Sequence, residues 1–427
     1  MHPTRAFASL AVGIIVVGMI AWPMLPASFS FGTGLARAEP QQKVPAQQKA
    51  PKKAAPKKGT SKPAPKVTPK QAEQPRTAFT PQEQAIAVVP GNPDARVWGD
   101  SAGDFQRVLP QASGPWLALS GGGADGAFGA GLITGWTQAG NRPEFAMVTG
   151  ASIGALISPY VFLGPRYDNE LRDALVSITG ADIFEDRPTR QSFLDTWPLK
   201  RLIEKRVTPE LMAEVAAEYR RGRRLLVITT NVDAGRRVIW NMGAIAEGGD
   251  QKALKLFRDV LVASSSIPGF FPPVEIEVEA NGRKFQEMHL DGTVTAPFFI
   301  VPEAMLGAAG GSRLPATEVY IILNSKLVPD FEMPERDTRS ILGRLISVVL
   351  KTGLRAELLL VGANAQRLGV PLKVAYVAES FQQPARGLFD EKYMKALFEF
   401  GAEQARKGSA FENVVPGAPD LRTGTPQ

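Results

Sequence analysis

Gly150-Ala151-Ser152-Ile153-Gly154 sets one serine between two glycines, after the apolar run Phe145–Thr149 and before a helical run, Ala155–Leu163. A serine on such a strand-to-helix turn is lifted out of the sheet. The flanking glycines let the backbone pass without a Cβ clash, and the helix start adds partial positive charge near the oxygen. That is a setting for a nucleophile, although the same pattern also fits a serine that caps the helix. A second turn of this kind comes earlier: Trp116–Ser120 runs into Gly121-Gly122-Gly123-Ala124-Asp125-Gly126 and then into the helical run Ala127–Gln138. Gly121, Gly123 and Gly126 match a dinucleotide fingerprint, but that reading wants an acid at the end of the next strand, where Thr149-Gly150-Ala151-Ser152 stands. As a run of backbone N–H groups at a helix start, the turn suits an oxyanion instead. A third stretch, His289-Leu290-Asp291-Gly292-Thr293, puts a carboxylate at a strand end, where it can reach a serine on a neighbouring strand.

Together the glycine turn, Gly-x-Ser-x-Gly and Asp-Gly, in that order, resemble the patatin-like phospholipase family. Two further blocks share the likeness, Thr230-Asn231-Val232-Asp233-Ala234-Gly235-Arg236 and Ser264 to Val274 with its Phe270-Phe271-Pro272-Pro273. The resemblance covers residues 115–300. It implies an α/β fold with a mainly parallel central sheet flanked by helices, and a serine–aspartate dyad in place of a triad. It also implies Ser152 as nucleophile, Asp291 as general base, Gly121, Gly122 and Gly123 around the oxyanion, and Gly126, Gly150, Gly154 and Gly292 as motif glycines. Cleavage of fatty acyl esters, of phospholipids or related lipids, is the implied reaction, and it needs no metal or organic cofactor. The alternatives are an esterase for small esters and a non-catalytic envelope protein that binds lipid.

Two departures from the family pattern stand out. Thr293 follows Asp-Gly where glycine or alanine is usual, and Asp125 stands where many members carry arginine or lysine. A carboxylate facing the oxyanion would be unfavourable, so Asp125 is expected to cap the following helix or to face outward. Histidine content agrees with a dyad. The chain has His2 and His289 only, and a triad would have to use His289, consecutive with Asp291 on one strand face. A triad's carboxylate must instead lie behind the imidazole. Asp233, before a small residue and glycine, is expected to bond backbone in a turn rather than to act in chemistry. Phe270-Phe271 suit a wall of an acyl-chain pocket or ordinary packing.

Around these stretches the elements follow from periodicity. Arg166–Ile178 has a helical period, and 192–222 reads as helical, interrupted near Pro198 and Pro209, as scaffold or as a cover over the site. Arg223–Val232 and Arg236–Asn241 read as a strand pair, and Lys252–Ser264 as a helix. Val274–Glu279 and Arg283–Leu290 form a hairpin through Asn281-Gly282. After a loop at 302–314, with 307–311 expected to be mobile, come a strand at 318–323, a long amphipathic helix at 337–368 interruptible at Gly353, a strand at 372–377 and a helix at 391–406. The long helix fits packing on the sheet better than a membrane surface.

The N-terminus is of another character. Residues 1–38 hold Arg5, an apolar run from Ala6 to Leu25, and Ala36-Arg37-Ala38. These are the marks of a secretory signal cleaved after Ala38. An uncleaved anchor is the alternative, since the run approaches the ~20 residues that span a bilayer. Export to the periplasm or outside follows, or anchoring in the inner membrane with a periplasmic catalytic domain. Residues 39–78 are rich in Lys, Pro, Ala and Gln, with eight prolines and no aromatic residue. Such a segment cannot bury enough apolar surface to fold, and reads as an extended disordered tether reaching up to ~120 Å at ~3.1 Å per residue. Its basic charge suits an anionic membrane or cell-wall surface as well as a plain spacer. Residues 1–78 hold twelve basic and two acidic residues, which leaves 37 basic and 40 acidic beyond. The net charge of +7 therefore belongs to the tether and argues no nucleic-acid partner for the folded part. The absence of cysteine removes disulfides, zinc–thiolate sites and cysteine nucleophiles. Residues 79–114 read as an irregular lead-in, 115–412 as the hydrolase domain, and 413–427 as a disordered tail.

Overall fold

The computed structural model describes residues 75–307, 314–328, 330–364 and 369–413. The signal, nearly all of the tether and of the tail, and most of the 307–311 segment lie outside the described residues. Among the described residues ten strands make one mixed sheet: β1 Arg96–Trp98, β2 Trp116–Leu119, β3 Met147–Ala151, β4 Arg224–Asn231, β5 Arg236–Asn241, β6 Val274–Ala280, β7 Arg283–Asp291, β8 Val319–Leu323, β9 Leu372–Tyr376 and β10 Glu412–Asn413. The main path runs β1-β5-β4-β3-β2-β8-β9-β10, with β7 on β4 and β6 on β7. β4, β3, β2, β8 and β9 are parallel neighbours, and the remaining pairs are antiparallel.

β2, β3, β4 and β8 are buried on both faces, as strands covered by helices on both sides must be. Alternation sorts their side chains. Leu117 and Leu119 enter one core with Phe128, Ile153 and Tyr160. Trp116 and Ala118 enter the other with Phe298, Phe299 and Leu358. Small residues bring the helix Gly126–Gln138 against the helix Glu391–Arg406. A Cβ on Gly131 would meet the Phe398 carbonyl at 1.9 Å, and one on Gly135 the Ala402 carbonyl at 2.3 Å.

Several expected elements shift. The lead-in is part of the sheet, since β1 pairs antiparallel with β5. Arg76, inside the expected tether, bonds both Asp233 oxygens and the Gln286 carbonyl, and Phe79 stacks on Phe285. Asn413, at the start of the expected tail, pairs with Lys373. Pro198 and Pro209 start helices, Trp197–Arg206 and Pro209–Arg220, rather than interrupting one; a first-turn proline forfeits no helical bond. The helix Thr338–Ala363 runs unbroken through Gly353. Its C-terminal half packs through Leu354, Leu358 and Val361, while Ile341, Leu345, Val348 and Val349 stay exposed. Among the described residues, no helix is long and apolar enough to cross a membrane.

Candidate active site

The site lies where β3 ends beside β4. β3 stops at Ala151, opposite Ile228, and Ser152 leaves the sheet into the helix Ile153–Leu163. β4 continues, and β7 takes up the vacated edge: Asp291 pairs with Thr229, one residue beyond Ile228. Asp291 is thereby brought beside the departing serine from 139 residues away, and the Ser152 hydroxyl donates to Asp291 Oδ2 at 2.7 Å. Ser152 has φ 55° and ψ −126°, a conformation L-residues seldom adopt, and makes no side-chain bond to the helix start. The capping reading fails on this geometry. The surroundings hold the strain in place. Ser152 N–H donates to Ser264 Oγ at 3.0 Å, and Ser264 Oγ in turn donates to the Ile228 carbonyl at 2.7 Å. Close backbone approach fixes the motif glycines: a Cβ on Gly150, Gly154 or Gly292 would lie within 2.4 Å of a carbonyl oxygen, and one on Gly126 would strike Ile153.

Asp291 is almost fully buried, and burial pushes its carboxyl up to about 6 against the bonds from Thr293 and Ser152 that favour the ionised form. Its Oδ1 accepts the Thr293 N–H at 2.8 Å and the Thr293 hydroxyl at 2.6 Å. Its backbone N–H donates to the Ser266 carbonyl at 2.9 Å and its carbonyl accepts the Thr230 hydroxyl at 2.8 Å, so the residue is held on every side.

Of the three glycines expected at the oxyanion, Gly121 is already committed: its N–H donates to the Pro297 carbonyl at 3.1 Å. Gly122 and Gly123 both have positive φ, 151° and 57°, which glycine alone adopts at little cost, and their N–H groups have no acceptor among the described residues. The turn hangs on Asn324, a residue that no local motif singles out. Asn324 is fully buried just beyond β8. Its N–H donates to Ser120 Oγ at 2.8 Å, its Nδ2 to the Ser120 carbonyl at 2.8 Å, and its Oδ1 accepts the Gly129 N–H at 3.1 Å.

Asp125 does neither of the things expected of it. It makes no capping bond; its carboxylate accepts the Tyr393 hydroxyl at 2.6 Å and is pushed up to about 6 by burial. Asp233 accepts Arg76 and the Met288 N–H at 2.8 Å, a turn role away from Ser152. His289 is fully buried with Nδ1 2.9 Å from the Thr229 hydroxyl, its ring against Trp240 and Nε2 3.4 Å from Glu287. It bonds neither Ser152 nor Asp291.

Beside Ser152 opens a narrow apolar cleft, open to solvent at its mouth. Ile153, Leu156, Ile157 and Tyr160 line it at helical spacing, so it follows the helix for roughly 12 Å at ~1.5 Å per residue. The block 192–222 covers it with Leu199, Leu202, Ile203 and Val207, and Phe271 closes another side, while Phe270 packs outside on Phe193. The one charged lining residue, Arg206, is tied to the carbonyls of Glu170 and Asp173. Among the described residues no group of three or more histidine, aspartate or glutamate side chains could hold a metal.

A parallel-cored α/β sheet with a strained serine and an aspartate meeting at its strand ends has the architecture of a patatin-like fold. Residues 117–302 match the model of the family "Patatin-like phospholipase", a match that supports a lipid acyl hydrolase in general. Among solved structures the chain is similar to VipD from Legionella pneumophila, with 12% identity, 72% of this chain and 68% of that chain covered, and a TM-score of 0.32. A likeness at that score bears on neither the site nor its chemistry. No curated protein matches the sequence.

Proposed function

We propose that this protein hydrolyses fatty acyl esters of lipids, with Ser152 as nucleophile and Asp291 as general base. The 2.7 Å bond from the Ser152 hydroxyl to Asp291 Oδ2, at the edge of an apolar cleft, carries the reading. Asp291 takes the serine proton as Oγ attacks the ester carbonyl. Negative charge on the former carbonyl oxygen is met by the N–H groups of Gly122 and Gly123, aided by the start of the helix Ile153–Leu163. Collapse breaks the ester bond, and the leaving alcohol takes its proton from Asp291. Water then gives a proton to Asp291 and attacks the acyl-enzyme. Ser152 is regenerated with that proton and the fatty acid leaves. The cleft's aliphatic lining suits the acyl chain.

Export through residues 1–38, or retention there as an anchor, belongs to the same proposal, as does peripheral contact of the basic 39–78 segment with a membrane or cell wall. Acyl release from p-nitrophenyl esters of graded chain length by the full chain tests the chemistry. Turnover that rises with chain length and vanishes in Ser152→Ala supports it. Equal turnover in Ser152→Ala would remove Ser152 as the nucleophile, and binding of dispersed phospholipid without any hydrolysis would replace the reading with a lipid-binding role.

A further inference from the structure

Thr293 departs from the glycine or alanine usual after Asp-Gly, and the structure gives the departure three contacts. Its N–H and its hydroxyl both reach Asp291 Oδ1, at 2.8 and 2.6 Å. Its methyl carbon lies 2.2 Å from where a Cβ on Gly121 would stand, so it closes against the glycine turn. The side chain is buried, and no residue other than Thr293 bonds Oδ1 among the described residues. A turn of this kind needs only the N–H bond, which any residue but proline supplies. The hydroxyl bond is additional, and it falls on the oxygen that Ser152 does not use.

We propose that Thr293 is a positioning residue of the site: with its N–H and hydroxyl it holds Asp291 Oδ1, leaving Oδ2 to Ser152, while its methyl fixes the glycine turn beside them. The inference rests on the reading of Asp291 as the base. A carboxylate free to rotate would share both oxygens among several donors, whereas one with an oxygen fixed twice presents the other in a single direction. Both Thr293 bonds are donated to the carboxylate, so they favour its ionised form. The groups facing it are otherwise uncharged: the hydroxyl of Ser152, the Ser266 carbonyl on its N–H and the Thr230 hydroxyl on its carbonyl. His289, two residues back, is engaged by Thr229 and lies against Glu287.

The test titrates the Asp291 carboxyl directly in the full chain, by ¹³C NMR of carboxyl-labelled protein, with Asp291→Asn identifying the signal. Thr293→Val keeps shape and methyl but loses the hydroxyl, Thr293→Ala loses both without adding bulk, and Thr293→Ser keeps the hydroxyl. The midpoint is expected to rise by about one unit in the Val and Ala variants, the scale of one hydrogen bond to a charged group, and to stay at the wild-type value in Ser. Ester turnover in the same samples should fall roughly tenfold in kcat for Val with KM little changed, and recover in Ser. Midpoints in folded Val and Ala variants that match wild type would overturn the proposal. Because the titration needs no turnover, an inactive wild type would sink the hydrolase reading and leave this result readable on its own.

Discussion

His289 and Asp291 stand two residues apart on one face of β7, both buried, and they meet different worlds. Burial acts on both in the direction of neutrality, raising the carboxyl and lowering the imidazole. Asp291 lies opposite Thr229, just past the end of β3, and so faces the serine and the cleft. His289 lies opposite Asn231, two positions further along β4 and further from the end of β3. There it is packed on Trp240, bonded to Thr229 and set beside Glu287, which pairs with Arg96. Burial alone would raise Glu287; His289 and Arg96 hold it low instead. His289, Glu287 and Arg96 therefore form an electrostatic lock, while Asp291, the proposed base, bonds the serine. What separates them is a shift of two residues along β4 rather than side-chain chemistry, since imidazole is the commoner base.

The contrast can be broken most sharply by exchange of function. Asp291→Asn and Ser152→Ala should each lower kcat for ester hydrolysis by at least about 10⁴-fold, read by burst-free steady-state turnover. Next in size, Arg96→Leu leaves Glu287 buried without its guanidinium and should cost about 3–5 kcal/mol of stability, a fall of several degrees in Tm, with kcat unchanged. The Asp291 end should behave oppositely. Its carboxyl is raised from 3.8 to about 6 in the folded protein, so its stabilising contribution is complete below the unfolded value and is lost as pH rises through 6. That difference corresponds to roughly 3 kcal/mol, and Asp291→Asn should therefore exceed wild type in Tm above pH 7 and lose that advantage between pH 6 and 4. The same shift sets the acid limb of kcat/KM: activity should fall about tenfold per unit below a midpoint near 6, measured on an ester whose own hydrolysis is flat there. The smallest effect belongs to His289→Ala, which should keep kcat within about threefold while lowering Tm, because the ring fills core space and touches no reacting atom. A loss of activity there comparable to that of Asp291→Asn would restore the triad.

Much of the site was legible along the chain because turns are local. The Gly-x-Ser-x-Gly strand end, the glycine run and Asp-Gly each follow from a few consecutive residues, and the Ser152 hydroxyl and the Asp291 carboxylate are brought into hydrogen-bond contact. What failed were statements about partners. Asp125 reads as a helix cap from its neighbours, yet its partner is Tyr393, 268 residues on. Gly121 looks equivalent to Gly122 and Gly123, yet its N–H is taken by Pro297. Asn324 follows an ordinary apolar strand, and only the parallel pairing of β2 with β8 sets it against Ser120. The lead-in looked irregular because β1 is three residues long and gains its identity by pairing with β5.

By itself, then, the sequence determined the things that short-range sterics and solvation decide: which segments are strands and helices, which turns need glycine, and which serine and aspartate stand at strand ends. Only the tertiary structure decided which of two buried groups on β7 meets the serine and which backbone donors stay free. Those outcomes rest on contacts between residues more than a hundred positions apart, and a register step of one residue, invisible in any local pattern, would reassign them all.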